Sequence, residues 1–506
     1  MFMNKKWSSV SMGAILLAGS ALISKVLGVI RDMVIASVFG VGSSEGIYAL
    51  DSYYAAFRVP DLIYTFLVAG AMSAAFIPLY TQLKKKSQKE ASLFGSSVIH
   101  ALLILLLIGS AGMWLLAPYF VPWITPGFTE SLQSQTVVLT RIMLISPLFL
   151  GLSAIFQGVE NSHKHFLGIA LAPLVYNLSL ILGAWFFGEA YGVQALAWAV
   201  VIGSVFHFIV QWPSVWKTPF KHQWVWQLKS KAMKDLVFLT VPRLFGIGLS
   251  QFSVLIDTVL ASLLTLGSLS IYNYALNLQS LPHGVVAVSV SVAVFSTLSE
   301  HDENPVEFKK TLFKSLHSIM FWVFPAVFGL FLLRAEIVEL LLFRGAFDSD
   351  ALAQTSMMLG IFVWAALGQS LIPLFARAFY ALKDTKTPVL IAFFSVGIQI
   401  ALSLILILVL DLPVWALAIS AIVASVINAL LLLVFMNAKI KASFSDYLGR
   451  KQILIFLNTS LMSGLILILQ TFSYPSLIVE LSLMIALGGG VYLGLSKLSR
   501  TTPGSL

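Results

Sequence analysis

Residues 10–32 read VSMGAILLAGSALISKVLGVIRD, an apolar run that reaches Lys25 before meeting a charge and then takes in Arg31 and Asp32. Wound as a helix at about 1.5 Å per residue, a run of this length crosses a hydrocarbon core of about 30 Å. Lys5 and Lys6 ahead of it resemble the start of a signal peptide. The charges that interrupt the continuation, and the lack of a small-residue cleavage pattern, read instead as a retained first membrane helix. The rest of the chain agrees: 58% of its 506 residues are hydrophobic and 10% are charged. A mean hydropathy of +0.93 is far beyond what a water-facing surface tolerates.

Stretches of roughly 20 or more apolar residues recur to the C-terminus, which selects helices over barrel strands. The absence of cysteine removes disulfides, thiolate metal sites and a cysteine nucleophile, and leaves the redox compartment open. A net charge of +9 sits mostly in short loops between spans, where it reports orientation rather than nucleic-acid binding.

Fourteen candidate spans cover about 8–41, 47–83, 91–117, 134–160, 165–187, 191–213, 234–266, 270–299, 306–333, 352–381, 387–410, 413–437, 451–471 and 476–496. An even number places both termini on one side. Basic loops at Lys5/Lys6, Lys84–Lys89, Lys164, Lys217–Lys234, Lys309/Lys310, Lys383/Lys386, Lys439–Lys451 and Lys497/Arg500 face the cytoplasm, and only Arg334 and Arg344 fall in the alternate loops. The second span, at about 54 Å, is too long for a straight crossing and carries Pro60, Gly70 and Pro78, so it is expected to bend. Irregular backbone at membrane depth belongs beside a wet cavity or inside protein.

A repeat displaced by about 220 residues is also legible. It sets Lys25 and Gly28 against Arg243 and Gly246, Pro60 against Pro282, Phe156 against Phe379, and Leu196-Ala197 against Leu417-Ala418. An even-numbered set repeats, so the halves are related by an axis along the membrane normal. The fold expected is an all-α polytopic membrane protein of about 14 helices. It has an N-terminal lobe over 1–220, a C-terminal lobe over 221–440 and an appended helix pair over 441–506.

Six cations fall inside spans: Lys25, Arg31, Arg58, Arg141, Arg243 and Arg377. Each costs at least about 2.5 kcal/mol at a helix centre unless it meets water or a partner. On the first helix Lys25, Gly28, Arg31 and Asp32 share an arc of about 120°; on the second, Asp51, Tyr54, Arg58 and Asp61 share about 80°. Span 7 aligns Arg243, Gly246, Ser250, Ser253 and Asp257, and span 8 adds Asn273, Asn277 and Ser280. Mutual ion pairing would neutralise any one of these charges. Several charges on neighbouring stripes favour a solvated cavity, because buried pairs gain little over apolar packing. Arginine offers a planar fork for phosphate oxygens, so an anionic, phosphate-bearing ligand is expected. Asp257, with Asp384 or nearby carbonyls, is a candidate site for a coupling Na⁺ or H⁺. Arg141 and Arg377 read as satisfied by snorkelling or helix-end carbonyls, and His163 and His165 as solvated. His207 and His283 are isolated, so no metal site is expected, and the twelve Trp read as lipid-facing or interfacial.

Several segments carry a resemblance to a known family: SKVLGVIRD at 24–32, VFGVG at 38–42, FRVPDLI at 57–63, GAMSAAFIPLY at 70–80, TPGF at 125–128, ALAPLVYN at 170–177, FRGAF at 343–347 and FYALKDTKTPV at 379–389. In their order and spacing the chain resembles the MurJ (MviN) lipid II flippases of the multidrug, oligosaccharidyl-lipid and polysaccharide exporter superfamily, over nearly its whole length. The resemblance implies two six-helix lobes and a C-terminal helix pair forming a groove for a polyprenyl tail. It implies export of the undecaprenyl-pyrophosphate-linked disaccharide-pentapeptide across the bacterial inner membrane by alternating access. Family cationic positions fall on Lys25 and Arg31 beside Asp32, a family acid on Asp51, and the polar position after the proline on Asp61. The chain departs from the family at Tyr64, Ala69, Asn277 and Ser280, where charged residues are usual, which shifts head-group binding toward Lys25, Arg31, Arg58 and Arg243.

Lipid II is therefore the expected substrate of a chain that acts as a monomer among membrane lipids, with cell-wall synthesis proteins as candidate partners. No cofactor is expected; the driving force is Na⁺, H⁺ or the membrane potential. The competing class is another exporter of the superfamily, moving a different lipid-linked glycan or an amphipathic drug. Cationic drugs would favour acids over these Lys and Arg residues. A membrane enzyme would need paired carboxylates or a His cluster at an interface, and the sequence shows none.

Overall fold

The computed structural model describes residues 9–41, 49–69, 75–442 and 449–503. Side chains at 9–12, 14, 15, 69, 242, 243, 245 and 247 are outside that description, as are Lys5, Lys6 and the expected bend at Gly70. All regular structure among the described residues is helical.

By internal contacts the chain divides into two compact units, Met1–Ser270 with Arg344–Phe347, and Ile271–Phe343 with Asp348–Leu506. The first holds α1 (Ser9–Phe39), α2 (Leu50–Tyr64), α3 (Ile77–Lys86), α4 (Gln88–Ile124), α5 (Glu130–Met143), α6 (Ser146–Ser162), α7 (Leu167–Tyr191), α8 (Val193–Ile209), α9 (Trp212–Trp216) and α10 (Lys231–Ser262). At its end begins α11 (Ser268–Pro282), followed by α12 (Val288–Glu300), α13 (Pro305–Leu332), α14 (Arg334–Leu342), α15 (Ser349–Phe362), α16 (Ala365–Ala381), α17 (Lys386–Leu404), α18 (Trp415–Ile440), α19 (Arg450–Leu469) and α20 (Leu477–Leu498). The repeat assigns α10 to the second lobe, but α10 packs with α2 and α4 in the first unit.

Ten helices among the described residues are long and apolar enough to cross a membrane, or eleven if α15 and α16, bent by 43°, form one span. The difference from fourteen falls on the expected spans 8–41, 47–83 and 234–266. These are helical over much of their length, but they carry the polar stripes and include residues or side chains outside the described set.

The second span is irregular beyond Pro60, where a bend is expected. Pro60 lies inside α2, which widens after Tyr64 into a π-helical turn at Thr65–Ala69. An extra residue in one turn breaks the regular hydrogen-bond ladder and redirects the axis. The second half repeats the device with Pro282 and the π turn His283–Ala287. The core of the first unit gathers Phe76, Tyr80, Phe94, Leu106 and Ile155. That of the second gathers Phe308, Phe375, Phe379 and Met436, while α19 and α20 dock on α13 through Phe321, Ile455, Met462, Met484 and Tyr492. The Tyr492 hydroxyl donates to the Phe321 carbonyl at 2.6 Å.

The helix ends also reveal the repeat. Lys164 and Lys383 both have left-handed backbones, with φ of 59° and 61°. In one turn the His165 amide donates to the Glu160 carbonyl and Lys164 to Asn161; in the other Asp384 donates to Phe379 and Lys383 to Tyr380. Both are Schellman turns, which satisfy the last carbonyls of α6 and α16. Matching them pairs Lys164 with Lys383 and Glu160 with Phe379. The pairing of Phe156 with Phe379 expected from sequence is therefore out of step by about one helical turn.

Candidate functional site

In the first unit α1 packs along α7, and the contact is organised by Arg31. Its Nε and Nη2 donate to Asp32 Oδ1 at 3.0 and 2.9 Å, and Nη1 donates to Asn177 Oδ1 at 3.2 Å. Asn177 is positioned in turn: its amide nitrogen donates to the Pro173 carbonyl at 3.0 Å and the Ser24 hydroxyl at 3.3 Å. A guanidinium has five N–H donors. The fork is therefore oriented from one side and keeps two donors, with a quarter of its side chain exposed. Lys25, two turns earlier on α1, is exposed, whereas Asp32 is buried.

The stripe on α2 meets α10. Arg58 Nε donates to Thr258 Oγ1 at 3.0 Å, and Gln251 Nε2 donates to Asp61 Oδ2 at 3.0 Å. Asp257, next to Thr258, is buried. Arg243 is on the same helix, with its side chain outside the described residues. Asp51, expected to line a substrate site, is 1% exposed with both oxygens engaged. They accept from the amides of Gly267 and Ser270, each at 2.8 Å, and from the Ser270 hydroxyl. In this conformation Asp51 anchors the start of α11, where exposed helix N–H groups favour an anion.

Two expected site residues lie in the second unit. Asn277 is on α11, its carbonyl accepting from the Ser280 hydroxyl at 2.8 Å. Asp384 accepts from the amides of Lys386 and Thr387 at 3.1 and 3.0 Å, from the Thr387 hydroxyl at 2.8 Å and from Lys439 Nζ. Burial works to raise the Asp384 carboxyl, but Lys439 and the Thr387 donors outweigh it and hold its pKa well below the usual carboxylate range. The carboxylate expected to bind a coupling cation already has the Lys439 ammonium and the start of α17.

Arg141 meets the Trp114 carbonyl at 3.1 Å and the Trp114 ring at 4.4 Å, and Arg377 reaches the Pro373 carbonyl at 3.4 Å. His207, expected to be isolated, shares a 2.6 Å hydrogen bond with Ser153. No group of three or more His, Asp or Glu capable of holding a metal occurs among the described residues. Reading the sequence missed Asn177, Gln251 and Thr258, the partners of Arg31, Asp61 and Arg58. Ser24 to Arg31 spans two turns of α1, and Asn177, two residues after Val175, is an amide at the middle of a mostly apolar helix; that amide was the available signal.

The model of a protein family described as lipid II flippase MurJ matches residues 35–488. The chain belongs to the MurJ family. A lipid II flippase MurJ of Burkholderia cenocepacia is 29% identical over 399 residues, covering 74% of each chain. A probable lipid II flippase MurJ of Thermotoga maritima is 30% identical over 450 residues, covering 88% of each. A solved lipid II flippase MurJ in an inward closed conformation superposes with a TM-score of 0.81 at 27% identity, over 96% of this chain and 99% of that one. An inward-facing multidrug resistance transporter of the MATE family is alike in fold, with a TM-score of 0.67 at 12% identity over 85% of this chain and 98% of that one. Membership of MurJ makes the chain a transporter rather than an enzyme.

Proposed function

We propose that this MurJ chain flips lipid II from the cytoplasmic to the outer face of the bacterial inner membrane by alternating access, with its termini in the cytoplasm. Its pyrophosphate meets Arg31, assisted by Lys25, Arg58 and Arg243. The observation that carries this reading is the Arg31 fork: Asp32 and Asn177 hold one side and leave donors for a ligand. A pyrophosphate supplies the charge and paired oxygens that such a fork engages. Orientation is supported by basic residues near helix ends. Left-handed Lys164, Lys383, Lys441 and Arg500 close α6, α16, α18 and α20 on the side assigned to the cytoplasm, where a cation also suits a helix C-terminus. Asp257 is the acid proposed for a coupling cation; Asp51 and Asp384 are given structural roles.

The test is rescue of bacteria depleted of their own flippase, with lipid II translocation measured directly. The wild-type chain restores growth and translocation. Arg31→Glu, inserted in the membrane at normal level, restores neither. A wild-type chain that inserts but does not move lipid II defeats the reading, and full rescue by Arg31→Glu removes Arg31 from it.

A further inference from the structure

Glu160 is fully buried near the C-terminal end of α6, beneath the turn that leads to α7. Neither carboxyl oxygen has a hydrogen-bond partner. The carboxyl is directed at the first turn of α7: a Cβ placed on Gly168 would stand 2.2 Å from Glu160 Oε1 and 2.9 Å from Oε2. A larger residue at position 168 would displace the carboxyl. The Ser214 side chain of α9 and the Gly168 amide approach the carboxyl as donors without forming a regular hydrogen bond.

Packing does not ask for an acid here. The same place in the matching turn of the second half is held by Phe379, also fully buried. A buried carboxylate without a cation costs several kcal/mol, more than two such donors return, so the group sheds its charge instead. The nearby cation does not neutralise it: Lys84 of α3 donates to the Ser162 carbonyl. His163 is bonded to the Val159 carbonyl, and His207 of α8 is bonded to Ser153 about two turns away. Lys164 and His165 belong to the turn itself, and Lys89 and Glu90 of α4 are exposed.

We infer that Glu160 is a proton-binding site: its carboxyl carries a proton in this conformation and releases it to cytoplasmic water when the turn between α6 and α7 loosens. Opening that turn breaks no ion pair of Glu160. It admits water and brings the carboxylate toward the unsatisfied amides at the start of α7, which stabilise an anion. The proton passes to water, and returns from water when the turn closes. The side on which it exchanges rests on the orientation proposed above.

The experiment compares wild type with Glu160→Gln, and with Glu160→Leu in case the amide does not fold, each as the full chain in lipid at neutral pH. Infrared difference spectra without substrate are expected to show a protonated carboxylic C=O stretch, shifted in D₂O, that both variants lose. Loss of a carboxylate band in its place shows Glu160 ionised and overturns the proposal. The pH dependence of lipid II flipping in proteoliposomes is expected to flatten in Glu160→Gln. An unchanged profile overturns the release step. The infrared result needs no substrate, so it stands or falls apart from the assignment of lipid II.

Discussion

The Ala346 amide donates to the Ser37 carbonyl at 2.8 Å, joining the FRGAF loop to the last turn of α1 within the first unit. Gly345 makes this approach possible. It has φ of +59°, and a Cβ on it would lie 2.1 Å from the Ser37 oxygen. Gly345→Ala is therefore expected to destabilise the protein by at least about 1–2 kcal/mol from the left-handed backbone alone. Thermal unfolding in detergent reads the loss, and an unchanged midpoint contradicts the contact.

Asn177→Ala should weaken transport more than stability. It removes the acceptor of Arg31 Nη1 and the link to Ser24, so the guanidinium keeps its charge but loses its aim. Charged hydrogen bonds of this kind contribute about 1.5–3 kcal/mol. A roughly tenfold fall in flipping at normal protein level is expected.

Arg58 and Thr258 should be coupled. Because they share one hydrogen bond, the double variant Arg58→Met with Thr258→Val should lose less stability than the two single changes added together. A coupling of about 1 kcal/mol is expected in a double-mutant cycle, whereas independent sites add.

Asp384 predicts a defined pH response. Its carboxyl is held below the usual range in the folded protein, so its stabilising effect is present above the ordinary carboxylate value and is lost as pH falls through the folded one. Asp384→Ala should lower stability by about 1 kcal/mol near neutrality through the lost helix cap. The gap between variant and wild type should narrow on acidification; a gap that widens contradicts the assignment.

Most of the fold could be read from the sequence because lipid imposes a simple rule on it. Apolar runs of sufficient length marked the ten or eleven evident spans among the described residues, and Pro60 announced the irregularity that follows in the second span. The π turn after it carries no signature in TFLVA, which reads as an ordinary apolar stretch of helix. The site was legible in its charges and not in their company. Helical periodicity put Arg58 and Asp61 on one face, but only tertiary structure sets Thr258 and Gln251 opposite them. Asp51 and Asp384 read as ligand-binding acids because a carboxylate in an apolar context looks the same in sequence whether it faces a ligand or the start of another helix. Glu160 lay at the edge of an expected span, where an acid attracts no notice.

The widened turn at Thr65–Ala69 makes the chain unusually tolerant of the loss of one residue there. Each residue of an α-helix advances the chain by about 100° around its axis. The widened turn holds one residue more for about the same rotation, so deleting one residue from it would restore regular winding and leave Arg58 and Asp61 on the faces they already occupy. A frame-preserving deletion of a single codon in TFLVA would thus keep both opposite Thr258 and Gln251, whereas the same deletion in a regular turn of α2 would swing them away by about 100°.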